Sequence, residues 1–229
     1  LIGVILIPVL ALLLLAGSLL VERGMEARRM DRLMEHVALA AGVRPLVEAL
    51  QAERGASVGY LSGQDQSFRR ILGEARAATD AQVEAFLQRI RGFDLAVGPD
   101  RADWPDAIRD DLKGLAQHRE EVDRLALHPL EILPPYTRIV RRLVLLASAV
   151  PGVDDGGALY ARLDAYRTFL LMREYAGLER ALGTAWIGGA APDPLVFRHY
   201  VEVVSVQEFL RTQFLAMTPD SRRRDLEAV

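Results

Sequence analysis

The sequence predicts an all-α protein, an N-terminal transmembrane helix followed by antiparallel helical bundles. Three observations carry that prediction. Residues 1–21 form an apolar run without a single charge. Long stretches beyond it place apolar residues three or four apart, the period of a helix with one buried face. No segment alternates with period two over β-branched residues, so essentially no sheet is expected.

The first element is the run from Leu1 to Val21, which ends at Glu22 and Arg23. A helix rises about 1.5 Å per residue, so roughly 20 apolar residues cross a hydrocarbon core of about 30 Å. A cleaved signal peptide usually has an apolar core of only about 7–15 residues. Here Ala16-Gly17-Ser18 is followed by more apolar residues, so a retained anchor is favoured over cleavage. Pro8 is compatible with it, because membrane helices tolerate proline. Arg23, Arg28, Arg29 and Arg32 lie close behind the run and by themselves argue for a cytoplasmic domain. Because the chain begins at Leu1 rather than Met, a fragment is expected, with a second membrane helix soon after Val229.

Residues 22–229 then form one helical domain, with helices expected at about 22–62, 65–92, 104–125, 129–149, 156–188 and 193–216. Gly63 closes the first, and Gly92 with Gly98-Pro99 the second. His128-Pro129 and Pro134-Pro135 interrupt the middle. Long turns follow at Pro151 to Gly157 and at Gly188 to Pro194. The short connections favour antiparallel neighbours.

Composition narrows the function. A net charge of −3 makes no case for a nucleic-acid binder, and none is expected as a partner. The chain has no cysteine, which rules out disulfides and thiolate metal sites. His36, His118, His128 and His199 have no mutual ligand spacing, so neither a metal nor a cofactor is expected. Trp104 and Trp186 read as packing or interface residues. No nucleophile–base pair and no glycine-rich phosphate loop appears, which argues against catalysis in this segment.

Two helical stripes run into the dipeptide Glu-Arg followed by a small residue. The first is Leu46, Leu50, Arg54, Ser57, Leu61, and the second is Leu163, Tyr166, Leu170, Arg173 or Glu174, Gly177, Arg180, Thr184. Both place an arginine, Arg54 or Arg180, on an apolar face that a helix buries. A guanidinium cannot shed its charge and is rarely buried without an anion. One account pairs each arginine with a carboxylate such as Glu53, Glu174 or Glu179. The other brings the two arginines together around a small oxyanion, which the planar fork of Arg binds with two parallel hydrogen bonds. In that account the two like charges repel when no anion lies between them, which couples binding to helix movement.

Four groups of residues, in order, resemble the motifs of the nitrate- and nitrite-sensing family, NIT. They are Gln51-Ala-Glu53-Arg54-Gly55-Ala-Ser57-Val-Gly-Tyr60-Leu61, then Arg76-Ala-Ala-Thr79-Asp80, then Leu115-Ala-Gln-His-Arg119-Glu-Glu-Val122-Asp123 with Tyr136-Thr137, and last Glu174-Tyr-Ala-Gly177-Leu-Glu179-Arg180-Ala181. The resemblance covers roughly residues 30–220. It implies two antiparallel four-helix bundles, set between two membrane helices in chemoreceptors and sensor histidine kinases and also present in soluble antiterminator regulators. It further implies nitrate or nitrite bound at an arginine pair, carried over to Arg54 and Arg180. Ser57, Arg76 and Thr79 are weaker candidates to line that site, each with a structural alternative. Ser57 can bond back to its own helix, and Arg76 and Thr79 can belong to a helix-to-helix network. Arg119 and Glu174 are expected in buried ion pairs.

Anchor and resemblance together lead to the expectation of an extracytoplasmic, homodimeric input domain of an inner-membrane receptor. Its partners would be nitrate, nitrite or a similar small anion, and the membrane. Two alternatives stay open: a helical dimerisation or scaffold module without a ligand, and a sensor of another small anion.

Overall fold

The computed structural model describes residues 2–63, 66–91, 104–148, 158–189 and 193–218, with the side chains of residues 2–14, 29, 32–33, 35–37, 66, 104–105 and 158–159 outside that description. The described residues are helical or in short connections between helices, and none forms a strand. The helices are α1 (Ile2–Gly63), α2 (Gln66–Ile90), α3 (Trp104–Asp123), α4 (Leu133–Ser148), α5 (Ala158–Gly188) and α6 (Pro194–Met217), with a 3-10 turn at Pro129–Ile132 before α4. The expected breaks at Gly92–Pro99 and Pro151–Gly157 lie outside the described residues.

One expected break is corrected. Pro134-Pro135 does not interrupt a helix but begins α4, where a missing N–H costs nothing because the first-turn donors have no helical partner. The break falls earlier. The His128 ring accepts from Leu130 N–H, while the Glu131 carboxylate accepts from His128 N–H, which together cap the 3-10 turn.

The membrane anchor predicted over residues 1–21 falls mostly on residues whose side chains lie outside the description. Among the described residues no helix is long and apolar enough to cross a membrane. Within the described part of that run, Leu15, Leu19, Leu20 and Val21 are exposed.

The chain divides into two compact units, Leu1–Ala38 and Leu39–Val229. In the second unit the pairing of helices can be read from side-chain contacts. A Cβ on Gly42 would meet Arg89, one on Gly59 would meet Phe68, and the Thr79 hydroxyl donates to Ala49 O, so α1 and α2 run antiparallel. Arg76 reaches Asp123 and Arg119 reaches Asp80, which makes α2 and α3 antiparallel. Asp111 takes Arg138 and Arg142, while Ala107 O takes Arg142, which does the same for α3 and α4. Contacts Glu48–Arg173, Gln51–Glu174 and Ser62–Gly188 rise together, so α5 lies parallel to α1. Phe169–Phe214 and Trp186–Phe197 set α6 antiparallel to α5.

The core between these helices holds Leu46 and Leu50 of α1, Phe86 of α2, Ile108 of α3 and Leu143 of α4, all essentially without solvent exposure. Burying each such side chain contributes about 1.5–3 kcal/mol. Into this apolar interior the sequence also places Glu53, Arg54 and Glu174.

Candidate functional site

Arg54 is the largest fully buried side chain of the described residues, with 0 % of its surface exposed. It reaches that position because Leu46, Leu50, Arg54 and Ser57 share one face of α1. The guanidinium forms a two-pronged pair with Glu174 on α5, which is equally buried. Nη1 donates to Oε1, and Nη2 lies 3.3 Å from Oε2. Nη1 also donates to the Thr137 hydroxyl of α4 at 3.1 Å, and Gln51 Nε2 donates to Glu174 Oε2 at 2.7 Å. Arg54 Nε has no hydrogen-bond partner, so one buried donor of this cation stays unused.

Glu53, the preceding residue, faces a different set of helices. Its carboxylate accepts from Arg119 Nε at 2.7 Å, Arg119 Nη2 at 2.9 Å and the Tyr136 hydroxyl at 2.8 Å. Arg119 continues to Asp80 at 2.8 Å. Burial alone pushes the Glu53 carboxyl up. The hydrogen bonds and charge of Arg119, with the Tyr136 hydroxyl, outweigh it and hold its pKa below the ordinary value. Burial and the neighbouring Glu53 charge push the Tyr136 phenol up, so it remains a donor. The buried ion pairs expected for Arg119 and Glu174 thus have named partners, Glu53 and Arg54.

Arg180 sits elsewhere. The inward residues of α5 are Glu174, Gly177, Leu178, Ala181, Leu182 and Ala185, and Arg180 falls on the flank of that stripe, exposed. The inward position read for it from the sequence is corrected accordingly. It lines an open cleft of about 390 Å³ between α1, α2 and α5, together with Gln51, Gly55, Arg173 and Gly177. Arg173 is neutralised there by Glu48 at 3.1 Å. Among the described residues the Arg180 guanidinium has neither a carboxylate partner nor a side-chain hydrogen bond.

The cleft and the buried pair meet at Gly177 and Gln51. A Cβ on Gly177 would lie 3.0 Å from Arg54 Nη2 and 3.4 Å from the Gln51 amide carbon. A side chain at this position would press on the Arg54 fork, which Gly177 lets lie against the cleft wall. Gln51, which belongs to the same wall, holds the far oxygen of Glu174. Gln51 and Thr137 belong to the motifs quoted from the sequence but were not proposed for the site, although Gln51 lies three residues before Arg54 on the same helix face, the signal that would have placed it there.

The three weaker candidates are spoken for. Ser57 bonds back to Glu53 O at 2.8 Å, and Thr79 donates to Ala49 O at 3.2 Å and Ala75 O at 3.1 Å. Arg76 holds Asp123 at 2.9 and 3.0 Å and Arg119 O at 3.2 Å. None of them lines the cleft. A larger groove of about 660 Å³ between α4, α5 and α6 offers a small anion less. Its walls are largely apolar, and its arginines are engaged: Arg138 and Arg142 by Asp111, Arg141 by the Tyr175 hydroxyl and ring.

A family model described as nitrate and nitrite sensing matches residues 45–229. The chain belongs to the NIT family. The NIT domain is a sensory and regulatory unit, not an enzyme. The chain is 26 % identical over 162 residues to the nitrate regulatory protein of Klebsiella oxytoca, an alignment spanning 70 % of this chain and 41 % of that protein. The solved structure of the NasR transcription antiterminator is 22 % identical and superposes with a TM-score of 0.76, covering 91 % of this chain and 57 % of that one. That likeness fixes the fold. The chain spans about two fifths of the curated relative it matches.

These findings overturn the membrane-receptor expectation. The matched relatives are named as a nitrate regulatory protein and a transcription antiterminator, and among the described residues no helix is long and apolar enough to cross a membrane. The inner-membrane location and the membrane as a partner fall with it. So does the exclusion of nucleic acid, since one matched structure is named for an event of transcription.

Proposed function

We propose that this NIT domain is a regulatory input module that binds nitrate or nitrite where Arg54 meets the cleft wall, with Arg180 as the second cation. The observation that carries the reading is the asymmetry of the two arginines. Arg54 is held fixed in the core with one donor unused, and Arg180 stands un-neutralised on the adjoining cleft wall. A planar monoanion entering past Gly177 meets the edge of one fork and the free charge of the other. The guanidinium geometry favours a flat oxyanion over a spherical halide, because two parallel N–H donors match two coplanar oxygens. The cleft wall is built from α1 and α5, so an anion bound there bears on the contact between these two helices.

The competing reading is a helical scaffold in which Arg54 serves only Glu174, and the closed geometry of that pair favours it. Thermal denaturation separates the two. Millimolar nitrate or nitrite should raise the Tm of the protein, equimolar chloride should not, and Arg180→Ala should erase the nitrate effect while leaving the starting Tm nearly unchanged. A Tm that rises equally in nitrate and chloride, or not at all, supports the scaffold instead.

A further inference from the structure

We infer that Glu174 is an internal competitor for the anion, and that its carboxylate sets both the affinity and the selectivity of the Arg54 site. The inference rests on the proposed nitrate reading and deepens it. Glu174 presents to Arg54 two coplanar oxygens carrying one negative charge, the same face that nitrate or nitrite presents. It is wholly buried, as is its partner. Gln51 clamps one of its oxygens from the cleft side, and Thr137 holds the Arg54 amino group that meets the other.

The charge balance makes competition unavoidable. In the interior the Arg54 cation is already matched by Glu174, and the Glu53 anion by Arg119. A further anion at the same fork adds an uncompensated negative charge beside Glu174. Two like charges in a site of low dielectric repel strongly. Arg180 supplies a balancing charge only from the cleft side. An oxyanion that engages Arg54 fully must therefore displace the carboxylate from one or both prongs. Gln51 is the residue that resists that displacement. Selectivity follows from the same exchange: only an anion able to replace a bidentate carboxylate can open the pair, and a spherical ion cannot.

Replacing the carboxylate by an amide of the same shape leaves Arg54 buried, charged and poorly matched. Breaking a buried pair from one side is strongly destabilising, and an anion binding at the vacated position recovers part of that loss. In calorimetric titrations with sodium nitrate, Glu174→Gln should bind on the order of tenfold tighter than wild type or more. Gln51→Ala should shift affinity in the same direction by a smaller factor. In the Glu174→Gln protein nitrate should also raise the Tm by more than it does in wild type, and equimolar chloride should not. If Glu174→Gln folds poorly without anion, recovery of helical circular dichroism in nitrate but not in chloride supports the inference.

A folded Glu174→Gln protein that binds nitrate no more tightly than wild type overturns it. So does one that stays unfolded in nitrate while Gln51→Ala leaves affinity unchanged. Binding by wild type with no gain in the variants sinks the Glu174 inference alone. Absence of binding in wild type and both variants sinks it together with the proposed function.

Discussion

Glu53 and Arg54 are consecutive on α1, yet each closes a different network, one toward α2, α3 and α4 and the other toward α4 and α5. Two ionised side chains of opposite sign in one turn of a core helix are tolerated because each is paired with an opposite charge, Glu53 with Arg119 and Arg54 with Glu174. That arrangement makes the fold sensitive to acid. The Glu53 pKa is held below its ordinary value of 4.5, so the contribution of its ionised form is complete above that pH and is lost as pH falls through the lower folded value. His118 acts at higher pH. Burial lowers its pKa below 6.5 despite Glu121 at 3.5 Å, so the fold prefers the neutral ring and loses stability as pH drops beneath 6.5. The Tm should therefore begin to fall just below pH 6.5, and His118→Leu should flatten that first decline but not the later one below 4.5. A wild-type Tm that holds constant between pH 7 and 5 contradicts this account. Arg54 was legible as an inward cation, because it continues the stripe Leu46, Leu50 with the spacing of one helix face. Arg180 was not. α5 packs against α1 and α4 on one side and α6 on another, so a stripe of period 3.6 does not say which side a residue near its margin takes.

The elements themselves were more readily legible than the residues. Helices α2 to α6 were anticipated to within about four residues at their described ends, because Gly63, Pro129 and Pro194 mark the chain locally; α1 was not, since the reading divided at residue 22 a helix that runs unbroken over Ile2–Gly63. What the sequence could not show was how α3 ends. There Leu125 adopts φ 54°, in the left-handed region, and Leu125 N–H and Ala126 N–H return to Val122 O and Glu121 O. This is the 6→1 and 5→2 closure that glycine usually makes. A leucine in that conformation costs about 1–2 kcal/mol, against up to about 1 kcal/mol of extra chain entropy for glycine. Leu125 is also 42 % exposed, so little packing is lost with its side chain. Leu125→Gly should thus raise stability to urea slightly, by about 0.5–1 kcal/mol. A clear drop would mean that the side chain matters more to packing than its exposure indicates.

At the level of the whole molecule, motifs spaced along the chain pointed to the correct family, and residues of those motifs meet in the pairs Glu53–Arg119 and Arg54–Glu174, which tie distant segments together. Cellular setting left no comparable trace. The run over residues 1–21 is apolar enough to suggest an anchor, but apolarity does not name a receptor, and the matched relatives are a nitrate regulator and a transcription antiterminator. The central claim is that a flat oxyanion binds at the buried Arg54 fork. Isothermal titration of sodium nitrate into wild type and Arg54→Lys, at constant ionic strength, addresses it most directly. Lysine keeps the positive charge opposite Glu174 but loses the planar fork. The account predicts saturable one-to-one binding to wild type and a loss of at least about tenfold in Arg54→Lys. Equal nitrate affinity in the two proteins would contradict it.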